Sequence, residues 1–200
     1  MEKQSYHHGD LKAELISAGI RLLSEEGYEA FSLRRVAKEC GVSQAAPYRH
    51  FKDKDTLVMA IITQALEAFN ERLTAAVDKH PDDPRSQIKE MGVAYIRFFA
   101  EHPDYLRVMF LSDVRMVGKT DCSEEKGAHL KAGHPFAVLF NAVRAYCLAY
   151  PDYGMNESEL LVMCWGLVHG ISVLLTRGEL PFTADFESLV SGIIWNEHFL

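Results

Sequence analysis

Four cysteines, Cys40, Cys122, Cys147 and Cys164, stand at no paired spacing, which argues against a disulfide framework and against a tight zinc motif. No stretch alternates apolar and polar residues as a half-buried strand does. The apolar repeats have helical spacing throughout, so an all-α chain is expected. No signal-peptide pattern opens it, and the thiols are therefore expected to be reduced, in the cytoplasm. There is no signature of a nucleophile, base and orienting group meant for one cleft, so neither enzymatic activity nor a cofactor is expected. Cations are outnumbered: 21 lysines and arginines against 28 aspartates and glutamates give a net charge of −7.

What is present is ample core material and an uneven charge. With 48% of residues apolar, 200 residues can close one or two cores. Residues 1–56 carry nine basic and nine acidic side chains, while the remainder carries twelve and nineteen and so supplies the whole deficit. The split suggests one domain at 1–56 fit to meet an anion and an acidic helical domain at 57–200.

The densest information lies in Ser32–Phe51. Ser32 is a good N-cap, and Leu33, Val36, Ala37 and Cys40 then repeat at helical spacing on one apolar face. Arg34, Arg35 and Lys38 lie off that face. Gly41 suits the left-handed residue that ends a helix. Val42 can plug the core, and Ser43 caps a second helix expected to run through Tyr48 and end near Phe51, the better core residue. Ala37 is small enough for the two helices to cross closely. Such a pair is the helix-turn-helix reader of duplex DNA. From Ser32 to Lys54 there are six basic residues against two acidic ones, a local excess on an acidic chain. Ser43 opens the reading helix; Gln44 is the candidate for adenine readout, and Ala45 and Ala46 suit thymine methyls. Tyr48, Arg49, His50 and Lys54, with Arg34 and Arg35, suit phosphate contacts. Pro47 removes one early helical hydrogen bond, and a short helix with a distorted start is expected.

Ser32, Val36-Ala37, Gly41-Val42-Ser43, Tyr48, His50-Phe51, Lys54 and Leu57 together resemble the N-terminal domain of TetR-family transcriptional regulators. The opening Tyr6–Leu11 is similar to one branch of that family, as is Trp165-Gly166-Leu167-Val168-His169-Gly170, a W-x-x-x-H-G pattern. Pro47 departs from the family's more frequent Leu or Thr. The resemblance implies an all-helical homodimer: a three-helix DNA-binding domain, a connecting helix and a ligand-binding dimerisation domain. It further implies a palindromic operator in double-stranded DNA and release by a small-molecule effector. The competing reading is a helical protein-interaction module with a weakened DNA domain.

The remaining segments follow from periodicity and punctuation. Leu11, Leu15, Ala18 and Leu22 mark a first helix that Gly27 ends. A long helix runs from about Lys54 towards His80 and reads as a lever; its N-terminal N–H groups, with Lys54, favour a phosphate. Pro81-Asp82-Asp83-Pro84 is a breaker and a hinge between domains. A helix to Glu101, a break at His102-Pro103 and a short helix through Leu111 come next. Ser112–His134 reads as loop. A helix at Pro135–Tyr150 is expected to present Phe136, Leu139, Phe140, Val143 and Cys147 on its face. Asn156-x-x-Glu159 is a capping box, Gly178 a stop and Thr183 a further cap. Leu160–Thr176 holds no acidic, lysine or arginine residue over seventeen positions. That is the short limit of the roughly 17–25 residues a membrane span needs, and His169 and two glycines sit within it. A helix buried on two sides, against its own core and a partner subunit, fits better than a membrane. The last helix, with Phe186, Leu189, Val190, Ile193, Ile194 and Trp195, has the same excess, and two such helices per subunit would build a four-helix interface.

Candidates for an effector pocket are Tyr95, Phe98, Phe99, Met109, Phe110, Phe140, Arg144, Trp165 and His169, apolar surface with few polar anchors. For His169 a hydrogen bond between helices is the expected role, since an imidazole in an apolar run needs a partner. Trp165 shares its face. Cys122, His129 and His134, with Asp121, Glu124 and Glu125, match no zinc spacing, and no metal is expected.

Overall fold

The computed structural model describes residues 11–111, 134–179 and 186–196. Among the described residues there is no strand. The helices are α1 (Leu11–Ala30), α2 (Leu33–Glu39), α3 (Lys54–Asp78), α4 (Pro84–Glu101), α5 (Pro103–Leu106), α6 (Pro135–Ala149), α7 (Glu157–Arg177) and α8 (Phe186–Ile194). A 3-10 turn occupies Pro47–Arg49, a π-turn Arg107–Leu111 and a second 3-10 turn Pro151–Tyr153. These elements gather into two compact units. The first takes residues 11–64 with 107–111, the second the described residues of 65–106 and 121–200.

In the first unit, α1, α2 and the start of α3 close around Leu15, Leu23, Phe31, Val36, Phe51, Leu57 and Ile61, all of them buried. Each such side chain contributes roughly 1.5–3 kcal/mol of burial. Gly27 sits at φ 75° and ψ 173°, outside helical geometry, so α1 bends there before its last turn. Ser32 caps α2, its hydroxyl accepting from the Arg35 N–H. The helix stops at Gly41, at φ 66°. Gly41 N–H then reaches Lys38 C=O at 3.1 Å and Val42 N–H reaches Ala37 C=O at 3.0 Å, the paired bonds of a glycine C-terminal stop.

In the second unit, α4 packs against α6, α7 and α8. Asp83 caps α4 through bonds from Arg85 and Ser86 N–H, both 3.1 Å. A hydrogen bond from the Ser86 side chain, with these backbone bonds behind it, holds its carboxyl below the usual carboxylate range. The Pro81–Pro84 break lies within this unit, not between the two units. Buried Lys89 donates to Asn196 C=O at 3.5 Å and stands 5.6 Å from the Trp195 ring, so α4 holds the end of α8. At Gly92 a Cβ would meet Ile194 Cδ1 at 3.2 Å, which shows how closely α8 approaches. Asn156 and Glu159 form the expected capping box on α7, and Gly178 ends it.

One face differs from expectation. On α6 the buried residues are Pro135, Ala137, Ala142, Val143 and Tyr146, while Phe136, Leu139, Phe140 and Cys147 are half-buried. The helix is apolar almost all round, so its pattern does not mark the inner side. Small alanines and the deep Tyr146 face inward, and Tyr146 packs against the Tyr150 and Tyr153 rings at 4.6 and 5.3 Å.

Candidate functional site

The larger departure concerns the second helix of the helix-turn-helix. Instead of an α-helix from Ser43 to Phe51, the chain makes tight turns and closes with one bond of helical spacing, from Phe51 N–H to Pro47 C=O at 2.9 Å. Ala46 N–H bonds Ser43 C=O at 2.9 Å, Arg49 N–H bonds Ala46 C=O at 3.2 Å, and His50 N–H bonds Pro47 C=O at 2.9 Å. Pro47 is the cause. It has no N–H to give Ser43 C=O, and Ala46, one residue nearer, supplies the bond. The helix expected to have only a distorted start is a 3-10 turn.

The side chains nonetheless divide as a reading surface requires. Pro47 and Phe51 are buried and Ala46 half-buried, anchoring the segment on α2. Ser43, Gln44, Ala45, Tyr48, Arg49 and His50 are exposed, Tyr48 by 52%. Arg34 and Arg35 are exposed on α2. The basic residues are not equivalent. Arg35 is ion-paired with Glu26. Lys54 is half-buried, donates to Tyr28 C=O at 3.2 Å and sits 3.9 Å over the Tyr28 ring. Arg34, Lys38 and Arg49 have no ion pair among the described residues.

Asp53 bears on the expected phosphate seat. Its carboxylate accepts from Thr56 N–H at 2.8 Å and Thr56 O–H at 2.7 Å, and so occupies the start of α3. Those bonds hold it below the usual carboxylate range. This anion takes the Thr56 N–H at the helix end where a phosphate is expected. The D-x-x-T spacing was a legible cap signal. Tyr28, Asp55 and Glu26 were also missed: Tyr28 O–H donates to Asp55, and that bond pushes the phenol up to about 12. No sequence pattern marks this junction, because it joins residues brought together by the bend at Gly27.

In the second unit, the pocket candidates fall into groups. Tyr95 O–H lies 2.9 Å from His169 Nδ1, so the expected hydrogen bond between helices joins α4 to α7. Burial raises the Tyr95 phenol, and a hydrogen bond with Trp165 works the other way. Tyr95, Phe98 and Phe99 cluster with Phe69 of α3 at 4.9–5.1 Å between ring centroids. Trp165 stands edge-on to Phe136 at 5.6 Å and 6.5 Å from His169. Phe140 is half-buried and Arg144 exposed. Met109 and Phe110 lie on the π-turn of the first unit. Of the metal candidates, His134 caps α6 by accepting from Phe136 N–H at 3.2 Å. The others lie outside the described residues, as do Tyr6–Asp10 and Thr183.

On α7, Leu160, Cys164, Val168 and Ser172 are buried at four-residue spacing. On the opposite side, also at four-residue spacing, Val162, Gly166, Gly170 and Leu174 are exposed. Val162 is 68% exposed, and among the described residues nothing lies within 4 Å of a Cβ placed on either glycine. The helix is long and apolar enough to cross a membrane by length and composition, but it packs on α4 and α6 and carries a polar cap at its start.

Two family models match the chain. One, described as bacterial regulatory proteins, tetR family, covers residues 15–61. The other, described as tetracyclin repressor-like, C-terminal domain, covers residues 88–194, more than half of the chain. An uncharacterised HTH-type transcriptional regulator of Bacillus subtilis, YerO, is 25% identical over 178 residues, 87% of this chain. The chain spans only 59% of that relative's length. A solved structure of a protein with unknown function from Rhodococcus sp. RHA1 is 27% identical, with a TM-score of 0.70, covering 98% of this chain and 97% of that one. A bacterial regulatory protein from Rhodococcus RHA1, at 19% identity and TM-score 0.72 over 92% of this chain and 93% of that one, shares the fold.

Proposed function

The chain belongs to the TetR family of bacterial regulatory proteins, and we propose that it is a cytoplasmic repressor that binds a palindromic operator as a homodimer and is released by a small molecule. The observation that carries the DNA half is the exposed row Gln44, Ala45, Tyr48 and Arg49, flanked by Arg34 and Lys38, on a unit anchored by Pro47 and Phe51. The observation that supports a dimer is the uncharged exposed row Val162, Gly166, Gly170 and Leu174 on α7. Its two glycines admit the close approach of a second helix. A dimer places two reading segments about one turn of DNA, roughly 34 Å, apart. An effector weakens DNA binding only by the difference in its affinity for the two spacings. The aromatic cluster around Tyr95 and His169 is the proposed place for it, and α3 runs from the first unit into the second.

A second reading, an interaction module with a weakened DNA domain, draws support from the reduction of the reading helix to a 3-10 turn. Titration of the full-length protein onto duplexes flanking its own gene, against scrambled duplexes at one stated salt concentration, separates the two. A preference of about a thousandfold supports the regulator. Equal weak binding to every duplex tried, operator candidates selected from random DNA included, overturns it.

A further inference from the structure

We infer that Glu26 is a positioning residue that holds Arg35 back from DNA, so that this cation is spent inside the protein and the affinity for any duplex is lowered. The inference rests on the DNA-binding role proposed above. Arg34 and Arg35 are adjacent and both exposed on α2, and by sequence they are equivalent phosphate contacts. The structure separates them. Arg35 Nη2 donates to Glu26 Oε1, whereas Arg34 has no ion pair among the described residues. Glu26 immediately precedes Gly27, where α1 bends at φ 75°. Just beyond the bend, Tyr28 engages Lys54 through its C=O and its ring. The end of α1 therefore occupies two cations of the helix-turn-helix unit, and at Glu26 the occupant is itself an anion.

Exposure decides how firmly the pair holds. The Arg35 side chain is 52% exposed, but that of Glu26 is only 23% exposed. The second oxygen of Glu26, Oε2, is buried with no hydrogen-bond partner among the described residues. Arg35 is thus the one donor that this carboxylate has among them. If Arg35 turned to a phosphate, a largely buried carboxylate would be left unpaired, which costs more than parting two ions in water. A phosphate attracts the guanidinium by the same charge-assisted bonds that the carboxylate already makes. The cost of the orphaned Glu26 falls on the DNA complex alone and keeps Arg35 where it is. The consequence is for affinity and not for base choice, because phosphate contacts carry no sequence information. A regulator with one cation withheld binds non-specific DNA less tightly and keeps its full preference among sequences.

The test is the salt dependence of binding to two duplexes, one selected by the full-length protein from a randomised pool and one scrambled. It compares the parent, Arg35→Ala, Glu26→Gln and the double variant, each shown to be folded by circular dichroism and melting. In the parent, Arg35→Ala should change the log–log slope by well under the roughly 0.9 that one phosphate contact carries. In the Glu26→Gln background the same substitution should make the slope shallower by about 0.9, because the released guanidinium has become a phosphate contact. Glu26→Gln alone should tighten binding to both duplexes by about twofold to fivefold and leave their ratio unchanged. Glu29→Gln removes an equal charge from the same turn without touching Arg35, and in that background Arg35→Ala should again leave the slope nearly unchanged. Glu26→Asp, which keeps the charge and shortens its reach, gives the same comparison if the glutamine variant does not fold. A change of about 0.9 in every background means that Glu26 withholds nothing. No change in any background means that Arg35 never meets DNA. Either result overturns this inference and leaves the regulator standing. If the parent selects no sequence at all, the regulator falls and the inference with it.

Discussion

Replacing Tyr95 by phenylalanine removes one oxygen from between α4 and α7 and leaves the ring contacts in place. The hydroxyl lies 2.9 Å from His169 Nδ1. The ring keeps Phe69 at 5.1 Å and Phe99 at 5.0 Å, so no large cavity opens. What disappears is one net hydrogen bond, about 1 kcal/mol, together with some cost for the polar groups left behind. That second cost is small here, because Trp165 is 38% exposed and His169 half-buried, within reach of water. The expected loss is about 1–2 kcal/mol in all, a fall in Tm of roughly 2–8 °C at this chain length. The chain's two tryptophans, Trp165 and Trp195, both lie in the second unit, so their fluorescence during denaturation follows that unit. A cycle of Tyr95→Phe, His169→Leu and the double variant should give a coupling of about 1 kcal/mol. A coupling within about 0.3 kcal/mol of zero would refute the claim that this pair ties α4 to α7.

Other expectations are as direct. Asp83→Ala should cost about 1 kcal/mol by removing the α4 cap. Because its carboxyl is depressed in the folded state, the cap's contribution is present above the ordinary carboxylate range and is lost as the pH falls through the folded value; Asp83→Asn should keep most of the cap and flatten that acid dependence, as urea titrations across pH would reveal. Arg49→Ala should weaken binding to all duplexes and make the log–log salt slope shallower by about 0.9, whereas Lys54→Ala, whose ammonium already serves Tyr28, should change the slope less; equal slopes for the two would contradict this ranking. Val162→Glu puts a charge on a side chain 68% exposed in the protomer, so sedimentation should find a folded monomer, and a persistent dimer would place the interface elsewhere.

Much of this architecture was legible because single residues act locally. Ser32, Gly41, Asn156 with Glu159, and Gly178 mark helix ends by the bonds that their own side chains or conformations permit. The pairing of His169 with another helix could be anticipated from its solitude among apolar neighbours, though not that Tyr95, 74 residues away in sequence, would be the partner. Pro47 was recognised as disruptive. Periodicity could not tell a distorted first turn from a segment made mostly of tight turns, since both keep Pro47 and Phe51 inside. On α6 the pattern failed for the opposite reason: apolar residues on every side leave no contrast to read. The grouping of Glu26, Tyr28, Lys54 and Asp55 depends on the path of the chain after Gly27, which no local spacing encodes.

The Asp53 carboxylate has a consequence for how the protein counts charge. A tethered anion at the start of α3 is present at a far higher local concentration than any phosphate arriving from solution. For the Thr56 N–H the protein competes with its own proposed target. On the proposed role, neutralisation of the duplex then falls mainly to side-chain cations that are free to leave their resting positions. On that role, the steepness with which salt weakens binding becomes chiefly a census of those residues.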